Sequence, residues 1–220
     1  MSVAKASNFG NPHIGIFAKA SEKMVIADIS SSPKLLQALS LLGKEIVQCT
    51  FGGMGMVGLF AAFNSNGIVV PPCSTNKEIE PFKKLGLNVA VAQSQFSAAG
   101  NNIAVNDFGG IANPMLPKEE LKKVQDCLGV EIVQMKIANY FTAGSLVLAT
   151  NKGFIAHNRA TEEQIKELES VLRVPGQNCT LNTGTTFVSL CAIANSQGAL
   201  FGELSTGFEI GRASEALGLI

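Results

Sequence analysis

The sequence Asn64-Ser65-Asn66-Gly67, a polar turn between two apolar segments, decides the fold of this chain because it recurs. Its counterparts are Asn106-Asp107-Phe108-Gly109, Thr150-Asn151-Lys152-Gly153 and Asn195-Ser196-Gln197-Gly198, whose glycines are separated by 42, 44 and 45 residues in turn. A weaker version, Ala20-Ser21-Glu22-Lys23, precedes them by a similar interval. Such turns supply the positive φ and the local hydrogen bonds that a β-hairpin needs. The sequence therefore predicts five repeats.

The fourth repeat shows the order of elements within one unit. After its turn come the apolar segment Phe154–Ala156 and then Thr161, a typical helix N-cap. Ile165, Leu168 and Leu172 follow at helical spacing. Comparable helix starts are predicted at Ser32-Pro33, at Ser74-Thr75, at Pro117 and near Phe208. Because proline interrupts helices, Pro81 is expected either to kink the second helix or to mark its first turn.

Each unit is predicted to read strand, turn, strand, helix, strand. The opening strands include Ile14–Ala18 and Val57–Phe63. The closing strands are predicted at Glu45–Cys49, Asn88–Ala92, Glu131–Met135 and Gln177–Leu181. The approximate units are 7–49, 50–92, 93–135, 136–181 and 182–220 together with 2–6, in one domain spanning 1–220.

The fifth unit lacks a closing strand, because only Gly218-Leu219-Ile220 follows its helix. The N-terminus supplies the complement, since Ser2–Ala6 is a short extended segment that precedes the first unit. We expect this segment to complete the fifth unit and so to close a ring. Closure would protect strand edges that an open array leaves unpaired.

Composition excludes several classes of function. Charged residues are 15% of the chain, the net charge is zero, and no basic stripe of the kind that binds nucleic acid is present. The longest apolar runs are far shorter than the roughly 20 residues of a membrane span, and the polar start predicts no signal peptide. Five cysteines without a C-x-x-C spacing favour a reducing cytoplasm over disulfides or zinc. Cys49 and Cys179 are predicted to be small buried residues.

One glycine-rich segment matches a cofactor motif. Gly53-Met54-Gly55-Met56-Val57-Gly58 fits G-x-G-x-x-G, and Glu78 lies 20 residues beyond the last glycine. A dinucleotide site would need a helix to begin in this segment. Because the repeat places a strand there, we interpret the glycines as a flexible loop and predict no cofactor.

Corresponding loops recur in all five units, at 7–11, 51–55, 96–101, 139–144 and 182–185. Four of them carry an aromatic residue. In a ring of equivalent units these loops should cluster on one face and form a binding surface. The alternative is that each aromatic side chain fills the gap between neighbouring units.

The two histidines are the candidates for acid–base catalysis. His157 could act as a general base with Cys179 or Cys191 as nucleophile, but its neighbours Asn158 and Arg159 provide no acid to orient the imidazole. His13 lies beside Pro12 and fits a surface loop. We therefore predict no catalytic residue and no metal site.

Several strings resemble the archaeal and eukaryotic translation initiation factor 6 family. They are Ile14 to Lys19, Gly67 to Pro71, Ser97 to Asn101 with Asn106-Asp107, Gly144-Ser145 with Asn151 to Gly153, and Leu181 to Gly184. They occur in order along nearly the whole chain. The resemblance implies a pentein-type five-bladed α/β propeller. It also implies binding to the large ribosomal subunit on its intersubunit face, where the protein would block joining of the small subunit.

The resemblance also suggests contacts and a source. The end at Ile220, without a longer tail, resembles archaeal members. Gln93, Ser94 and Gln95 stand where the family often has basic residues, so we expect limited contact with ribosomal RNA and a ribosomal protein as the main partner. We expect a cytoplasmic monomer that does not bind membranes. The predicted ribosome-binding residues are Asn8, Phe9, Phe51, Met54, Phe96, Ser97, Asn101 and Tyr140.

Two alternatives stay open at this point. One is a pentein-type enzyme that modifies guanidino groups through a cysteine nucleophile, with cysteine, histidine and two acids converging in the central channel. The other is a ring that binds a small molecule in that channel without catalysis.

Overall fold

Five three-stranded sheets form the framework of the computed structural model, which describes residues 2–220. The strands are β1 (Ser2–Ala6), β2 (Ala18–Ala20), β3 (Met24–Asp28), β4 (Glu45–Cys49), β5 (Ala62–Phe63), β6 (Gly67–Val70), β7 (Asn88–Val91), β8 (Ile103–Val105), β9 (Gly110–Ala112), β10 (Ile132–Gln134), β11 (Val147–Ala149), β12 (Phe154–His157), β13 (Gly176–Cys179), β14 (Ala192–Asn195) and β15 (Gly198–Gly202). Four sheets contain consecutive strands, in the orders β2-β3-β4, β5-β6-β7, β8-β9-β10 and β11-β12-β13. In each sheet the first two strands form an antiparallel hairpin, and the closing strand is parallel to the middle one.

The fifth sheet is completed by the N-terminus. Its order is β14-β15-β1, and β1 runs parallel to β15 from the pair Ser2 and Gly198 to the pair Ala6 and Gly202. The prediction that Ser2–Ala6 supplies the missing closing strand is therefore confirmed.

Helices occupy two positions in each unit. They are α1 (Pro33–Leu39), α2 (Val57–Phe60), α3 (Asn76–Lys84), α4 (Ala99–Asn102), α5 (Lys118–Leu128), α6 (Ala143–Leu146), α7 (Glu162–Leu172), α8 (Val188–Cys191) and α9 (Gly207–Ala216), with 3-10 turns at Ile14–Ile16 and Ser40–Leu42. The outer helices α1, α3, α5 and α7 connect the middle strand to the closing strand, and α9 follows the middle strand of the fifth sheet. One short inner turn precedes the first strand of each unit.

The predicted outer helices are confirmed, and all except α5, which Pro117 precedes, begin with a side-chain cap. Thr75, Thr161 and Thr206 each accept a backbone N–H of the first turn and form capping boxes, while Ser32 caps α1. Pro81 lies inside α3, which begins at Asn76, so it does not mark the first turn.

The inner turns correct the prediction for the opening strands. Ile14–Ile16 is a 3-10 turn and Val57–Phe60 is one turn of α-helix, so the strands predicted at Ile14–Ala18 and Val57–Phe63 shorten to β2 and β5. A short apolar run does not distinguish a strand from a buried helical segment by its periodicity. What decides the structure is a tertiary contact, the close packing of the inner turns.

The inner turns contact one another in cyclic order. Turn Ile14–Ile16 contacts α2, which contacts α4, then α6, then α8, which returns to Ile14–Ile16. A side chain at Gly58 would collide with the carbonyl of Gly15, and one at Gly100 with the carbonyl of Gly58. Gly144 and Gly15 make the equivalent approaches to Gly100 and Ser189. The five sheets therefore have an arrangement consistent with fivefold pseudosymmetry, held at its centre by glycine–backbone contacts.

Candidate interaction surface at the loop end

The five hairpin turns define one end of each unit, which we call the turn end (21–24, 64–67, 106–109, 150–153 and 195–198). At its first position each turn has a side-chain oxygen that accepts two backbone N–H groups of the same turn. The accepting residues are Ser21, Asn64, Asn106, Thr150 and Asn195. These bonds fix the tight turns locally, as their sequences predicted. The predicted positive φ is wrong, because the turn glycines Gly67, Gly109, Gly153 and Gly198 do not adopt it. A side chain at Gly67, Gly109 or Gly153 would instead collide with a carbonyl of the next unit's outer helix.

Three of these residues also connect neighbouring units. The amide of Asn106 donates to the carbonyl of Thr150 at 3.0 Å and to that of Leu172, the last residue of α7, at 2.9 Å. Asn64 makes the same pair of bonds to the third unit, and Asn195 makes it to the first. Each amide thereby satisfies a carbonyl at the C-terminal end of an outer helix. Ser21 and Thr150 have no amide and cannot form this connection.

Two carboxylates lie between the turns. Glu22 accepts from the backbone N–H of Asn151 and from the backbone and hydroxyl of Ser196, and Asp107 accepts from Ser65 and from the amide of Asn151. The cavity among these turns has a volume of about 10 Å³, and none of the cysteines is among the residues that line it. This space fits about one water molecule, whereas small-molecule sites need roughly 300–1,000 Å³.

The loop end lies at the opposite termini of the outer helices. It includes the connections from the middle strands to the starts of the outer helices, and the segments that join each closing strand to the next inner turn, at 7–13, 50–56, 92–98, 135–142 and 180–187. Four of them contain a tight turn closed by an isolated bridge, as between Phe51 and Met54. The central residues of these turns are left-handed, including Phe9 and Gly10 in the first loop and Ala138 and Asn139 in the fourth. The segment after β7 forms no such bridge among the described residues.

Most of these loops are held by a side chain from the first turn of the outer helix of the same unit. Glu78 accepts from the backbone N–H groups of Gly52 at 3.0 Å and Gly53 at 3.1 Å, and from the hydroxyl of Thr50. Glu209 binds the N–H groups of Thr183 and Gly184 in the same way. Glu120 and Gln164 are the counterparts in the third and fourth units. Glu78, Gln164 and Glu209 fix left-handed turns and complete the capping boxes of their helices at once, whereas Glu120 does neither.

The pKa of Glu78 reflects this arrangement. Burial alone would raise the pKa of the carboxyl, but hydrogen bonds from Thr50, Thr75, Gly53 and Gly52 favour the charged form and lower the pKa to about 2. The pKa of Glu209 is also lowered, because the bonds from Thr206, Gly184 and Thr180 outweigh the effect of burial. Both carboxylates are therefore charged at neutral pH.

The first loop, after β1, is held differently. Leu35 occupies the position in α1 that Glu78 occupies in α3, and it is fully buried in the core. No side chain of the described residues accepts the N–H groups of Phe9 and Gly10. Instead Asn8 reaches from the loop to the helix, where its side-chain oxygen accepts the backbone N–H of Ser32 at 2.9 Å.

The predicted ribosome-binding residues divide into exposed and buried groups. The side chains of Phe9, Tyr140 and Met54 are 76%, 44% and 37% exposed, and Phe96 and Ser97 are half-buried. Asn8 is buried because it holds the first loop against α1. Phe51 is fully buried and stacks on Phe82 at 6.2 Å between ring centroids. The side chain of Phe51 therefore fills the gap between neighbouring units and does not reach the surface.

The predicted location of Asn101 in a surface loop is wrong. The residue lies in the inner turn α4, where its side-chain oxygen is buried and has no partner among the described residues. The adjacent carbonyl of Gly100 accepts from the ammonium of Lys19 at 3.4 Å. Burial lowers the pKa of Lys19 to about 8. The sequence did not reveal this position, because the short helical turn was predicted as part of a loop.

Sequence reasoning also missed several exposed apolar residues at the loop end. Phe208, at the start of α9, is 75% exposed, and Ile29, Met115 and Leu204 lie exposed between a middle strand and its helix. Their signal in the sequence is an apolar side chain within a few residues of a helix cap, outside the helical periodicity. Together with Phe9, Met54 and Tyr140 they make the loop end rich in exposed apolar groups, a property of interaction sites.

Cys49, Cys179 and Cys191 do not have the properties of nucleophiles. Burial raises the pKa of Cys49 to about 12, that of Cys179 to about 11 and that of Cys191 to about 12. Glu78 and Asp28 add to the effect at Cys49, whereas Arg212 opposes it at Cys179. A thiolate is therefore disfavoured at these positions. Cys49 and Cys179 are buried, as predicted.

His157 lies in an aromatic cluster. It is the register partner of Cys179, but its ring packs against Tyr140 and Phe187, and its Nδ1 accepts the backbone N–H of Arg159 at 3.0 Å. Burial, with a smaller effect from Arg159, lowers the pKa of His157 and so favours the neutral ring. The geometry gives His157 a structural role in closing its turn and supporting Tyr140.

The glycine-rich segment is occupied by the protein itself. Gly52 and Gly53 donate to Glu78, the acid that the cofactor motif would assign to a ribose, and a side chain at Gly55 would collide with Asp28. A helical turn does begin at Val57, contrary to the predicted strand, but it has only four residues and packs its glycine on Gly15. Within residues 2–220, no three His, Cys, Asp or Glu side chains come together as metal ligands. No helix in that range is long and apolar enough to cross a membrane.

Comparison with known proteins identifies the family. The model of the eIF-6 family matches residues 3–216. This chain belongs to the eIF-6 family. Translation initiation factor 6 of Aeropyrum pernix is 40% identical over 223 residues, which cover 99% of this chain and 95% of that protein. The factor of Methanobrevibacter smithii is 36% identical over 213 residues, covering 96% and 95% of the two chains, and that of Thermococcus onnurineus is 32% identical over the full length of both. The resemblance seen in the sequence is thus confirmed, and these eIF-6 family relatives are archaeal.

Proposed function

We propose that this protein is a ribosome anti-association factor. It would bind the large ribosomal subunit through its loop end and sterically prevent the small subunit from joining. We further propose that its five sheets form a pentein-type five-bladed propeller and that it acts in the cytoplasm without catalysis. Membership in a family of translation initiation factors supports this proposal.

The observation that carries the proposal is the apolar character of the loop end. Phe9, Met54, Tyr140 and Phe208 are exposed there, while the turns next to Phe9 and Met54 are fixed by side-chain hydrogen bonds. Rigid loops with exposed aromatic and methionine side chains suit a protein interface, because little conformational freedom is lost on binding. The absence of net charge favours a ribosomal protein over extensive contact with ribosomal RNA.

Steric occupancy follows from such an interface without any chemical step. While the loop end covers part of the intersubunit face, the small subunit cannot reach the same surface. The expected interface is of ordinary size, with a few apolar anchors surrounded by polar contacts.

Sedimentation of purified archaeal ribosomal subunits tests the proposal. We expect the protein to migrate with the large subunit and to reduce the fraction of joined ribosomes when the small subunit is added. A protein that stays at the top of the gradient at low salt, while subunits join normally, would show that the proposed function is wrong.

A further inference from the structure

The residue that ends the outer helix differs in one unit. Each unit has a left-handed residue at or just after this helix terminus, and in four units it is Gly43, Gly86, Gly129 or Gly218. The fourth unit has Arg173 instead, with a φ of 55°. A side chain in this conformation is strained, and such strain commonly occurs at functional positions.

A second departure lies beside the first. The third residue of the hairpin turn is polar in four units, namely Lys23, Asn66, Lys152 and Gln197. In the third unit it is Phe108, whose ring is 40% exposed. Phe108 follows Asp107 at the turn end. The third unit, which contains Phe108, packs against the fourth unit, whose outer helix α7 is followed by Arg173.

Phe108 and Arg173 line the same groove, which has a volume of about 320 Å³. Val133 from β10 and Val171 from α7 add apolar surface, and Glu131 and Glu167 add two carboxylates. Arg173 forms no ion pair or hydrogen bond with any described residue, and Glu131 and Glu167 form no ion pair there. The groove therefore combines an unpaired guanidinium, two unpaired carboxylates and an apolar wall.

We infer that this groove binds a protein segment carrying charges of both signs. An acidic side chain of the segment would pair with the planar guanidinium of Arg173, and a neighbouring apolar side chain would pack between Phe108, Val133 and Val171. A basic side chain of the same segment would face Glu131 and Glu167. The two carboxylates disfavour a nucleic acid, whose phosphates they would repel.

The groove is separate from the proposed ribosome-binding surface. It lies at the C-terminal end of α7, whereas the loop end lies at the N-terminal end, and eleven helical residues span about 16 Å. A partner in the groove would therefore leave the loop end accessible. This inference does not depend on the proposed function.

Selection from a phage-displayed library of short random peptides tests the inference. Peptides that bind a double variant, Phe108→Asn with Arg173→Gly, are removed first, and peptides that bind the parent protein are then recovered. Both substitutions are residues that other units have at these positions. We expect the recovered peptides to share an acidic residue beside an apolar one.

A synthetic fluorescent copy of the recovered peptide then gives the affinity by anisotropy. Arg173→Gly should weaken binding at least about tenfold, as loss of a central charged anchor does. Phe9→Asn, at the loop end, is the control and should bind like the parent. Recovery of no peptide specific for the parent, recovery of uniformly basic peptides, or tighter binding of a single-stranded RNA oligonucleotide would overturn the inference.

Thermal unfolding of the same variants separates recognition from stability. Because glycine adopts a positive φ without strain, Arg173→Gly should raise the melting temperature while it weakens peptide binding. Arg173→Lys keeps the strain and the charge but loses the bidentate geometry, so it should bind more weakly at an unchanged melting temperature. A lower melting temperature for Arg173→Gly would show that the guanidinium supports the fold and would contradict the assigned role.

Discussion

The turn end and the loop end are built from the same five repeats but are held together in opposite ways. At the turn end, side chains of one unit satisfy backbone groups of the next, as Asn106 does for Thr150 and Leu172. At the loop end, the side chain of a helix such as Glu78 fixes a loop of its own unit and leaves apolar side chains exposed beside it. The turn end thus joins the units, and the loop end forms the fixed surface that we propose binds a partner.

Deletion of residues 2–6 should have the largest effect, because β1 runs between the two ends. Its removal leaves β15 unpaired on one side and takes Ala6 from the core. We expect aggregation or a melting temperature lower by at least about 10 °C, given roughly 2–4 °C per kcal/mol for a chain of this size. Circular dichroism during heating measures this shift. Unchanged melting would mean that β1 does not contribute to closing the ring.

Substitution of Asn106 should show how strongly the turn end depends on its amides. In Asn106→Leu the N–H groups of Phe108 and Gly109 lose an acceptor, and the carbonyls of Thr150 and Leu172 lose a donor, in a buried site. We expect a loss of about 2–4 kcal/mol in the free energy of unfolding, measured with urea.

Asn139 provides the matched control at the loop end. It is exposed, and Asn139→Gly should change the free energy of unfolding by less than about 0.5 kcal/mol. If the two substitutions have equal effects, the contrast between the ends does not exist.

Thr150→Asn would sharpen the comparison by adding a missing connection. Thr150 accepts from its own turn but has no amide to reach the fifth unit. By analogy with Asn106, the new amide should reach the carbonyls of Asn195 and Leu217 and raise the free energy of unfolding by about 1 kcal/mol. Ser65→Asn, one position later in a turn, is the control and should bring no such gain. A destabilised Thr150→Asn protein would indicate that this junction has a different geometry.

The acid dependence of stability should report on the loop end. The folded-state pKa of Glu78, about 2, is below its ordinary value of 4.5, so its charged form stabilises the fold fully above pH 4.5. This contribution is lost as the pH falls from 4.5 through 2. In Glu78→Gln that part of the pH dependence should disappear, which urea unfolding between pH 2 and pH 6 would detect.

Gln164 shows that an amide can replace the carboxylate, since it accepts the N–H of Ala138 in the fourth unit. Glu78→Gln should therefore cost only about 0.5–1 kcal/mol at neutral pH, also because the group is partly exposed. Glu80→Gln, on the exposed face of the same helix, is the control and should retain the parent's acid dependence between pH 4.5 and 2 apart from its own small contribution. Identical pH profiles for Glu78→Gln and the parent would contradict the assigned cause of the lowered pKa.

The two ends also differ in how far the sequence predicts them. The hairpin turns and outer helices were predictable, because Asn64 and Thr161 act on residues only two or three positions away. The inner turns were not, because Gly58 is helical to approach Gly15, a contact between distant residues. The burial of Phe51 against residues of the first unit, and the bond of Glu78 to Gly52, likewise depend on contacts between distant residues. Periodicity predicts which elements recur, while contacts between units decide which loop side chains stay exposed.

Of these substitutions, Phe9→Asn should change the free energy of unfolding least and the affinity for the large ribosomal subunit most. Phe9 is left-handed and its ring is exposed, and asparagine tolerates this conformation, so the substitution removes the ring without adding strain. We expect a change of less than about 0.5 kcal/mol in the free energy of unfolding and about a tenfold loss of affinity for the large ribosomal subunit.

Phe51→Leu is the matched control. Loss of its buried ring should lower the free energy of unfolding by about 1 kcal/mol, while the affinity of the folded protein stays the same. Denaturation and subunit binding measured on both variants decide the issue. If Phe51→Leu weakens binding while Phe9→Asn does not, the loop end acts through its shape and not through the exposed aromatic side chain.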